Sequence, residues 1–389
     1  MTVSGTEQLR RLNTALVLRS LRRDGPASRS ELARRTGLAK TTVGVIVSSL
    51  AGSGAVSEGT VVSEGRGRPS RPVSMSGERL LALGLELNVD YVSAVLLDLA
   101  GTVRRHEHRP IPSGASGRVE ALLDLAGEVA GAVEGRLLGA RVAVPGLVRG
   151  DDATIAWTPN LRLAGPELAD RVRARIGDVL HEPCAVTVGN DANAAAYAES
   201  RRGVAVGVDQ AVYLTGTVGI GAGFVVDGRL LRGVDGFAGE VGHLPLGDPA
   251  DRCGCGRSGC WETAIGLHAM LSRVGLGELA TPMESARMVV ERAGEPAVAH
   301  GLDRLGRDLG RGLATLAQLV NPEVVVLGGY FAPLGEQVLQ PARAALDAAL
   351  PTPALRRPEL RLSGLGLEAA ATGAAELALD VVFTGDVPL

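Results

Sequence analysis

The chain of 389 residues has few aromatic residues and no long apolar run. Aromatic residues make up only 3% of it, so we expect a core built from Leu, Val, Ala and Gly. The longest apolar runs, such as residues 80–85, are far shorter than the ~18 residues that a transmembrane helix requires. Residues 1–8 contain no apolar segment of the kind that a secretory signal peptide carries. These absences predict a cytoplasmic protein that does not associate with a membrane.

Cysteine is scarce as well, with four residues in the chain, and cytoplasmic proteins rarely hold cysteines in disulfides. Three of the four follow a histidine with the spacing H-x9-C-x-C-x4-C. Three thiolates and one imidazole suit a structural, tetrahedral zinc ion, and the predicted ligands are His243, Cys253, Cys255 and Cys260. The alternative is a loop in which three unrelated cysteines occur together. Cys184 falls in a predicted buried strand, where we expect it to belong to the core.

The small net charge of −3 hides an uneven distribution. Residues 1–77 contain twelve basic and five acidic residues, a net charge of +7. The remaining residues contain 28 basic and 38 acidic residues, a net charge of −10. A basic N-terminal segment on an acidic body indicates that the segment contacts a polyanion and that the body does not.

The basic segment has the pattern of a helix-turn-helix. A capping box formed by Ser28 and Glu31 begins a short helix that buries Leu32 and Ala33 and ends near Thr36. Apolar residues at roughly helical spacing predict another helix before it, with Leu9, Leu12, Leu16 and Leu21. A third helix is predicted to begin near residue 39 and to bury a stripe of apolar residues, namely Val43, Ile46, Val47 and Leu50.

The start of the third predicted helix carries Lys40, Thr41 and Thr42. In a helix-turn-helix these side chains enter the major groove, where they reach base edges or phosphates. The alternative is a small three-helix unit with a solvated charged face. Residues 54–63 alternate weakly around a glycine and predict a two-stranded wing. Arg66 and Arg68 follow in an Arg-Gly-Arg-Pro strip that suits a narrow minor groove, although it is also compatible with a solvated basic linker.

From residue 80 onward, predicted strands alternate with predicted helices, which is typical of α/β layers with sites at the carboxyl ends of strands. Residues 189–193 lie between a strand and a helix, and Asp191 there is either functional or a helix N-cap. Glu240 and Glu262 flank the predicted zinc loop and suit hydrogen bonds from sugar hydroxyls, or are surface acids. The glycines of residues 216–223 permit close approach of a ligand, or form a tight turn.

These residues resemble the ROK family, whose name abbreviates repressors, open reading frames and kinases. The resemblance lies in residues 216–223, Gly239–His243, Cys253–Gly256 and Gly259–Glu262, with Asn190–Ala194 as a further motif. The helix-turn-helix followed by the Arg-Gly-Arg-Pro strip resembles the repressor branch of the family. The similarity extends over essentially the whole chain.

The resemblance implies an actin-like (ribonuclease H-like), two-lobed sugar kinase fold preceded by a winged helix-turn-helix. It implies a DNA-binding domain over residues 1–77, a first lobe over residues 78–191 plus about 370–389, and a second lobe over residues 192–369 with a zinc loop at 243–260. It also implies a set of sugar-binding residues: Asn160, Asn190, Asp191, Glu240, His243 and Glu262. In family kinases, the aspartate at position 191 is the catalytic base.

The chain departs from the family kinases where they bind nucleotide. Their Asp-x-Gly-Gly-Thr motif is replaced by Glu86-Leu-Asn88-Val89-Asp90, so side chains crowd the phosphate position. A carboxylate at position 90 would repel a phosphate charge by about 4 kcal/mol at ~4 Å and an effective dielectric constant of ~20. Val218 replaces a hydroxyl residue, and bulky Tyr330 follows the glycines of the adenosine region. We therefore expect no ATP and no catalytic residues.

The sequence thus favours a sugar-responsive transcriptional regulator, a repressor of carbohydrate catabolic genes, with structural zinc as its cofactor. We expect a homodimer or homotetramer that binds a palindromic operator in double-stranded DNA and a small sugar as effector. One alternative is an active, ATP-dependent, glucokinase-like ROK kinase with an added DNA-binding domain. Another is a DNA-binding protein whose body only oligomerises or docks a partner.

Overall fold

The structure is a computed structural model that describes residues 5–60, 71–111, 117–217, 219–279 and 281–385. Within these ranges, no helix combines the length and the apolar character needed to cross a bilayer. The described chain forms an N-terminal unit of helices with a small sheet, followed by two five-stranded sheets with their helices.

The N-terminal unit contains three helices and a three-stranded antiparallel sheet of order β1-β3-β2. Its elements are α1 (Gly5–Asp24), β1 (Ala27–Ser28), α2 (Arg29–Thr36), α3 (Lys40–Gly52), β2 (Val56–Glu58) and β3 (Pro72–Met75). The Ser28 hydroxyl accepts a hydrogen bond from the Glu31 backbone N–H at 3.2 Å, which is one half of the predicted capping box. The other half is not formed, because the Glu31 carboxylate binds Arg34 and Arg35. Gly37 ends α2 at a φ of 72°, in the left-handed region that favours glycine. The predicted stripe of α3 is buried throughout.

Two details of this unit differ from the prediction. The partner of β2 is β3 (Pro72–Met75), so the pair of strands is closed by a far longer segment than the glycine turn predicted within residues 54–63. Helix α1 buries Val17, Leu18 and Leu21, whereas Leu9, Leu12 and Leu16 are exposed. Of the four predicted leucines only Leu21 is buried, and the buried face of α1 is rotated away from the other three, because the helix packs against the body as well as against α2 and α3.

The first large sheet has the order β11-β7-β4-β5-β6. Its strands are β4 (Leu80–Leu87), β5 (Tyr91–Asp98), β6 (Val103–Pro110), β7 (Arg136–Val144) and β11 (Val186–Asn190). Both β4 and β5 are buried over their full length, because α4 (Arg118–Gly131) and α5 (Glu167–Leu180) cover one face of the sheet and α13 (Ala369–Thr384) covers the other. A small antiparallel sheet follows β7 and contains β8 (Leu147–Val148), β9 (Ile155–Thr158) and β10 (Leu163–Gly165).

The second large sheet has the order β14-β13-β12-β15-β16. Its strands are β12 (Gln210–Gly216), β13 (Ile220–Val226), β14 (Arg229–Leu230), β15 (Val324–Gly329) and β16 (Glu359–Leu362). The helices of this part are α7 (Glu262–Ile265), α8 (Leu267–Val274), α9 (Pro282–Glu291), α10 (Pro296–Val320), α11 (Phe331–Leu334) and α12 (Glu336–Ala349). Each large sheet is an antiparallel meander of three strands extended by two parallel strands, so the two sheets share one topology.

Helices α6 (Asp191–Arg202) and α13 pack against each other between the two sheets. Gly373 of α13 meets the backbone of α6 so closely that a Cβ there would lie 1.7 Å from the Ala194 carbonyl oxygen. On its other side, α13 shares an apolar cluster with α1, including Leu18 and Phe383. The N-terminal unit therefore packs directly against the body of the protein.

Candidate ligand-binding cleft

A cavity of about 210 Å³ lies between the two large sheets, near the carboxyl ends of β7, β11 and β12. All six residues that the sequence suggests for sugar binding line it: Asn160, Asn190, Asp191, Glu240, His243 and Glu262. These six residues belong to segments that are far apart in sequence, and the matching topology of the sheets brings the segments to one place.

Strand β11 and helix α6 position two of the cleft residues, Asn190 and Asp191. The Asn190 side chain caps α6, accepting a hydrogen bond from the Asn193 backbone N–H at 2.9 Å, and its amide donates to the Gly146 carbonyl oxygen at 3.1 Å. The sequence offered Asp191 as the possible N-cap, but Asn190 takes that position. Asp191 instead lies one residue into the helix and accepts a hydrogen bond from the Ala192 N–H at 2.8 Å. Its carboxylate is thus held in place at the cavity.

The cleft raises the pKa of two of its acids. Burial raises the pKa of Asp191 to about 7, although backbone N–H groups oppose the shift, and the charge of Glu240 adds to it. Glu240 keeps 42% of its side chain exposed, yet the cleft walls remove enough water to raise its pKa as well. Near neutral pH, Asp191 therefore exchanges readily between a hydrogen-bond acceptor and a donor, and both forms suit a ligand rich in hydroxyls.

The predicted zinc ligands form one cluster. The ligand atoms of His243, Cys253, Cys255 and Cys260 all lie within 4.8 Å of one another. The Sγ atoms of Cys255 and Cys260 are 3.7 Å apart, and Cys253 Sγ is 3.8 Å from His243 Nδ1. Tetrahedral bonds of ~2.3 Å to sulfur and ~2.0 Å to nitrogen give similar separations, so the four side chains fit a zinc ion. The Arg257 backbone N–H helps to lower the pKa of Cys255 to about 6, whereas burial raises the pKa of Cys253 and of Cys260, so Cys255 is the thiol most readily deprotonated.

His243 connects the cysteine cluster to the cleft. Its Nδ1 faces Cys253, while its Nε2 lies 4.0 Å from the Glu240 carboxylate in the cavity. Glu262 is held in a similar way, because its Oε2 accepts a hydrogen bond from the Ile220 N–H at 2.9 Å and its Oε1 lies 3.6 Å from Cys253 Sγ. A metal ion in the cluster would therefore fix the wall from which Glu240, His243 and Glu262 face the cavity.

The turn that departs from the kinase pattern contains a buried polar network. The Tyr91 hydroxyl donates to Glu86 Oε1 at 2.6 Å, and the Asn88 amide donates to the same oxygen at 3.1 Å. Burial raises the pKa of Glu86 to about 8, and Glu86 Oε2 has no partner among the described residues. Asp90 is 8% exposed, and its pKa is raised by burial. Side chains and carboxyl groups thus surround the site where the kinase pattern has glycines.

A second cavity, of about 200 Å³, lies on the far side of the Gly216–Thr217 turn. Asp90 and Glu284 both line it, and Glu284 contributes to the raised pKa of Asp90. Arg287 and His108 line the same cavity, so its charge is mixed and the two acids do not by themselves exclude a polyphosphate. Tyr330, the bulky residue after the glycines of the adenosine region, does not line this cavity. Its ring is fully buried in the core, and its hydroxyl donates to the Ile265 carbonyl oxygen at 2.7 Å. Val218 lies outside the described residues.

Trp157, which belongs to none of the motifs, also lines the first cavity. This indole is 42% exposed, whereas the other tryptophan, Trp261, is fully buried. The signal available from the sequence was the rarity of tryptophan, with two in the chain, since tryptophan side chains often contact ligands.

The residues expected to contact DNA lie at the start of α3. Lys40 and Thr41 are exposed, and Thr42 is half-buried. Val45, which the sequence interpretation passed over, is 66% exposed on the same helix, where a valine suits contact with a thymine methyl group. Arg66 and Arg68 lie outside the described residues, in the segment that joins β2 to β3.

Comparison with known proteins places this geometry among relatives. Residues 82–381 match the family model described as the ROK family. The chain is 28% identical to the xylose repressor of Bacillus subtilis (strain 168), over 98% of each chain. A solved ROK family transcriptional regulator, a homologue of the Escherichia coli MLC protein, is 26% identical with a TM-score of 0.81 and covers 97% of this chain and 98% of its own. A ROK family glucokinase from Streptomyces griseus, solved with glucose and AMPPNP, is 28% identical with a TM-score of 0.66 and covers 76% of this chain and 98% of its own.

Proposed function

This chain belongs to the ROK family, and we propose that it is a transcriptional repressor that binds DNA through its N-terminal unit and a small sugar in its cleft. The observation that carries the proposal is the extent of the similarity. The repressor relative and the regulator structure match nearly the whole chain, whereas the glucokinase matches 76% of it while using 98% of its own length. The rest of the chain thus has almost no counterpart in that kinase.

The N-terminal unit supports DNA binding by its form and charge. We propose that helices α2 and α3 and the three-stranded sheet act as a winged helix-turn-helix, in which α3 would be the recognition helix with Lys40, Thr41 and Thr42 at its start. Arg66 and Arg68 would extend the contact into the minor groove. We propose residues 1–77 as the DNA-binding domain, 78–191 plus about 370–389 as the first lobe, and 192–369 as the second lobe.

The cleft supports sugar binding by its chemistry. Two amides, three carboxyl groups and an imidazole converge on about 210 Å³, and such groups suit the adjacent hydroxyls of a monosaccharide. We propose a structural zinc ion on His243, Cys253, Cys255 and Cys260, which would hold the cleft wall rather than take part in chemistry. The crowded turn at residues 86–90, with its buried Glu86 and Asp90 carboxyl groups, supports a protein that neither binds ATP nor acts as a kinase.

We propose that a homodimer or homotetramer reads a palindromic operator, since two symmetric helix-turn-helix units need two half-sites. Sugar would weaken operator binding by favouring a lobe arrangement in which the two units are wrongly spaced. A 100-fold effect requires ~2.7 kcal/mol of differential sugar affinity, which a few hydrogen bonds made in only one arrangement can supply.

The test is an operator-shift assay on the DNA upstream of the protein's own gene, titrated with xylose, glucose and N-acetylglucosamine. We expect binding to a specific site and a change in affinity with at least one sugar. Glu240→Ala should remove the sugar response and leave DNA binding intact. Trp157 in the cavity provides a fluorescence signal for direct sugar binding.

A kinase assay on the same sugars with ATP separates the alternatives. Phosphorylation of any of these sugars by the purified protein would overturn the assignment as a non-enzyme. DNA binding without response to any sugar, together with no fluorescence change, would favour a body that only oligomerises or docks a partner.

A further inference from the structure

Helix α6 joins the cleft to the N-terminal unit through a network of charged side chains. We propose that Arg22 of α1, the residue of the N-terminal unit that enters this network, couples occupancy of the cleft to the position of the DNA-binding helices. This inference rests on the proposed function and names the residues through which sugar and DNA would be linked.

Helix α6 begins in the cleft and ends at the network. Asn190 caps it and Asp191 opens it, and both line the cavity. The helix has 12 residues, a length of ~18 Å, and ends at Arg202. A displacement at the ligand therefore reaches Arg202 through one continuous helix, which bends little over three turns.

Close backbone contacts leave α6 no room to move independently. A Cβ on Gly223 of β13 would lie 2.6 Å from the Ala192 carbonyl oxygen, and one on Gly373 of α13 would lie 1.7 Å from that of Ala194. Helix α6 is thus held by the second sheet on one side and by α13 on the other. A displacement of α6 on rotation of the lobes is therefore passed on to α13, because tightly packed elements cannot absorb the movement by deforming.

Polar contacts join the second half of α6 to the middle and the second half of α13. The Tyr197 hydroxyl donates to Asp380 Oδ2, and Arg201 Nη2 donates to the Tyr197 hydroxyl at 2.8 Å. Arg202 Nη1 donates to Glu376 Oε1 at 3.1 Å. Since Glu376 is 2% exposed, its carboxylate depends on these cations to compensate for lost water.

Arg22 brings the N-terminal unit into this network. Its Nη2 binds the second oxygen of Glu376, and its Nη1 lies 3.3 Å from Asp380 Oδ1. Its guanidinium also lies over the Phe383 ring, 4.4 Å from the centroid. Glu376 is thus shared between Arg202 of α6 and Arg22 of α1. Planar arginine contacts are strongly directional, so a shift of α6 at Glu376 and Asp380 changes the position in which Arg22 is held.

The test compares Arg22→Gln with Arg23→Gln. Arg23 is the next residue of the same helix, its side chain is 79% exposed, and its described ion pair is with the adjacent Asp24. Operator affinity is measured by fluorescence anisotropy with and without the sugar, among xylose, glucose and N-acetylglucosamine, that gives the largest response in the wild type. Sugar affinity is measured by calorimetry with and without operator DNA, because linkage requires the same factor in both directions.

We expect the wild type and Arg23→Gln to show the same sugar-dependent change in operator affinity, within the ~5- to 150-fold range of allosteric coupling. Arg22→Gln should reduce that change to ~2-fold or less, in both directions of the cycle. Its sugar affinity without DNA should equal that of the wild type, since Arg22 lies outside the cleft. Tyr197→Phe, which keeps the ring and removes the hydroxyl that Asp380 accepts from, should also reduce the change.

Full coupling in a folded Arg22→Gln protein would overturn the inference and leave the proposed function standing. If Arg22→Gln fails to fold or to bind operator, Tyr197→Phe decides, and full coupling in that variant overturns the inference. A wild type that binds operator but responds to none of the sugars would overturn the proposed function and, with it, this inference.

Discussion

At the scale of single residues, Glu86 shows most clearly how the structure adapts a carboxyl group to burial. Its carboxyl is fully enclosed, receives hydrogen bonds from Asn88 and Tyr91 on one oxygen, and has a pKa raised to about 8 by burial. A folded-state pKa above the ordinary value of 4.5 means that the folded protein binds the proton more tightly than the unfolded chain. The free energy of unfolding contributed by Glu86 therefore falls as pH rises from about 4.5 to about 8.

We predict that Glu86→Gln flattens this pH dependence. Glutamine keeps the oxygen that Asn88 and Tyr91 bind and does not titrate. Thermal melts from pH 5 to 8 should show a smaller loss of Tm in the variant, at ~2–4 °C per kcal/mol for domains of this size. Glu78→Gln, at an exposed position, serves as the control and should follow the wild type. A variant whose Tm falls as steeply as that of the wild type would contradict the prediction.

Asp191 acts in the same direction. Its pKa is raised to about 7, so ionising it in the folded protein also costs stability as pH rises toward that value. Glu86→Gln should therefore remove only part of the slope.

At the scale of elements, the loop of residues 243–260 determines one wall of the cleft. It contains little regular structure beyond the short 3-10 helix Val241–His243. Its cysteines cluster with His243 at the centre of the loop, where a core would have apolar side chains. A metal ion on the proposed ligands would give this loop its order, because the ligands lie too few residues apart to bury a core of their own.

We predict that Cys255→Ser lowers the zinc content and weakens sugar binding by ~10-fold or more, as loss of support for metal-bound ligands does elsewhere. Chelation of the wild type should have the same effect. Ser258→Ala is the matched control, because Ser258 is exposed in the same loop and is not part of the cluster. Zinc content is measured by atomic absorption and sugar affinity by calorimetry. One bound zinc per chain in Cys255→Ser, with unchanged sugar affinity, would exclude the structural role.

Helix α1 shows the limit of periodicity at this scale. Leu9, Leu12 and Leu16 have helical spacing and are nevertheless exposed, while Val17, Leu18 and Leu21 are buried. Spacing identifies an amphipathic helix, but several partly overlapping stripes fit the same leucines. The stripe that becomes buried is chosen by what the helix packs against, which here includes α13 from the other end of the chain.

At the scale of the whole molecule, charge is divided between a basic segment and an acidic body. The described part of the basic segment presents Lys40 and several arginines, and the segment between β2 and β3 contributes Arg66 and Arg68. When lysine and arginine side chains contact DNA phosphates, counterions are released, so the number of such contacts can be read from the salt dependence of binding.

We predict that replacing Arg66 and Arg68 by Ala weakens operator binding and reduces the slope of log K against log salt by about 2, close to 1 for each lost phosphate contact. Arg292→Ala, an exposed arginine of the body, should leave the slope unchanged. Operator affinity at several salt concentrations provides the measurement. An unchanged slope in the double variant would remove these arginines from the contact set.

Elements whose cause is local could be predicted from the amino-acid sequence alone. The N-cap at Ser28, the left-handed turn at Gly37 and the stripe of α3 depend on neighbours within a few residues. The spacing of the cysteines was likewise enough to predict the cluster. The alternation of strands and helices was also predicted, because it follows from hydrophobic periodicity.

Tertiary structure decided what depends on distant partners. It paired β2 with Pro72–Met75 rather than with the nearer residues, directed Tyr330 into the core, and placed Trp157 in the cavity. It also brought Arg22 to Glu376, residues separated by 354 positions along the chain. No local pattern encodes such contacts, because they exist only when the packing of α1, α6 and α13 has closed the distance between them.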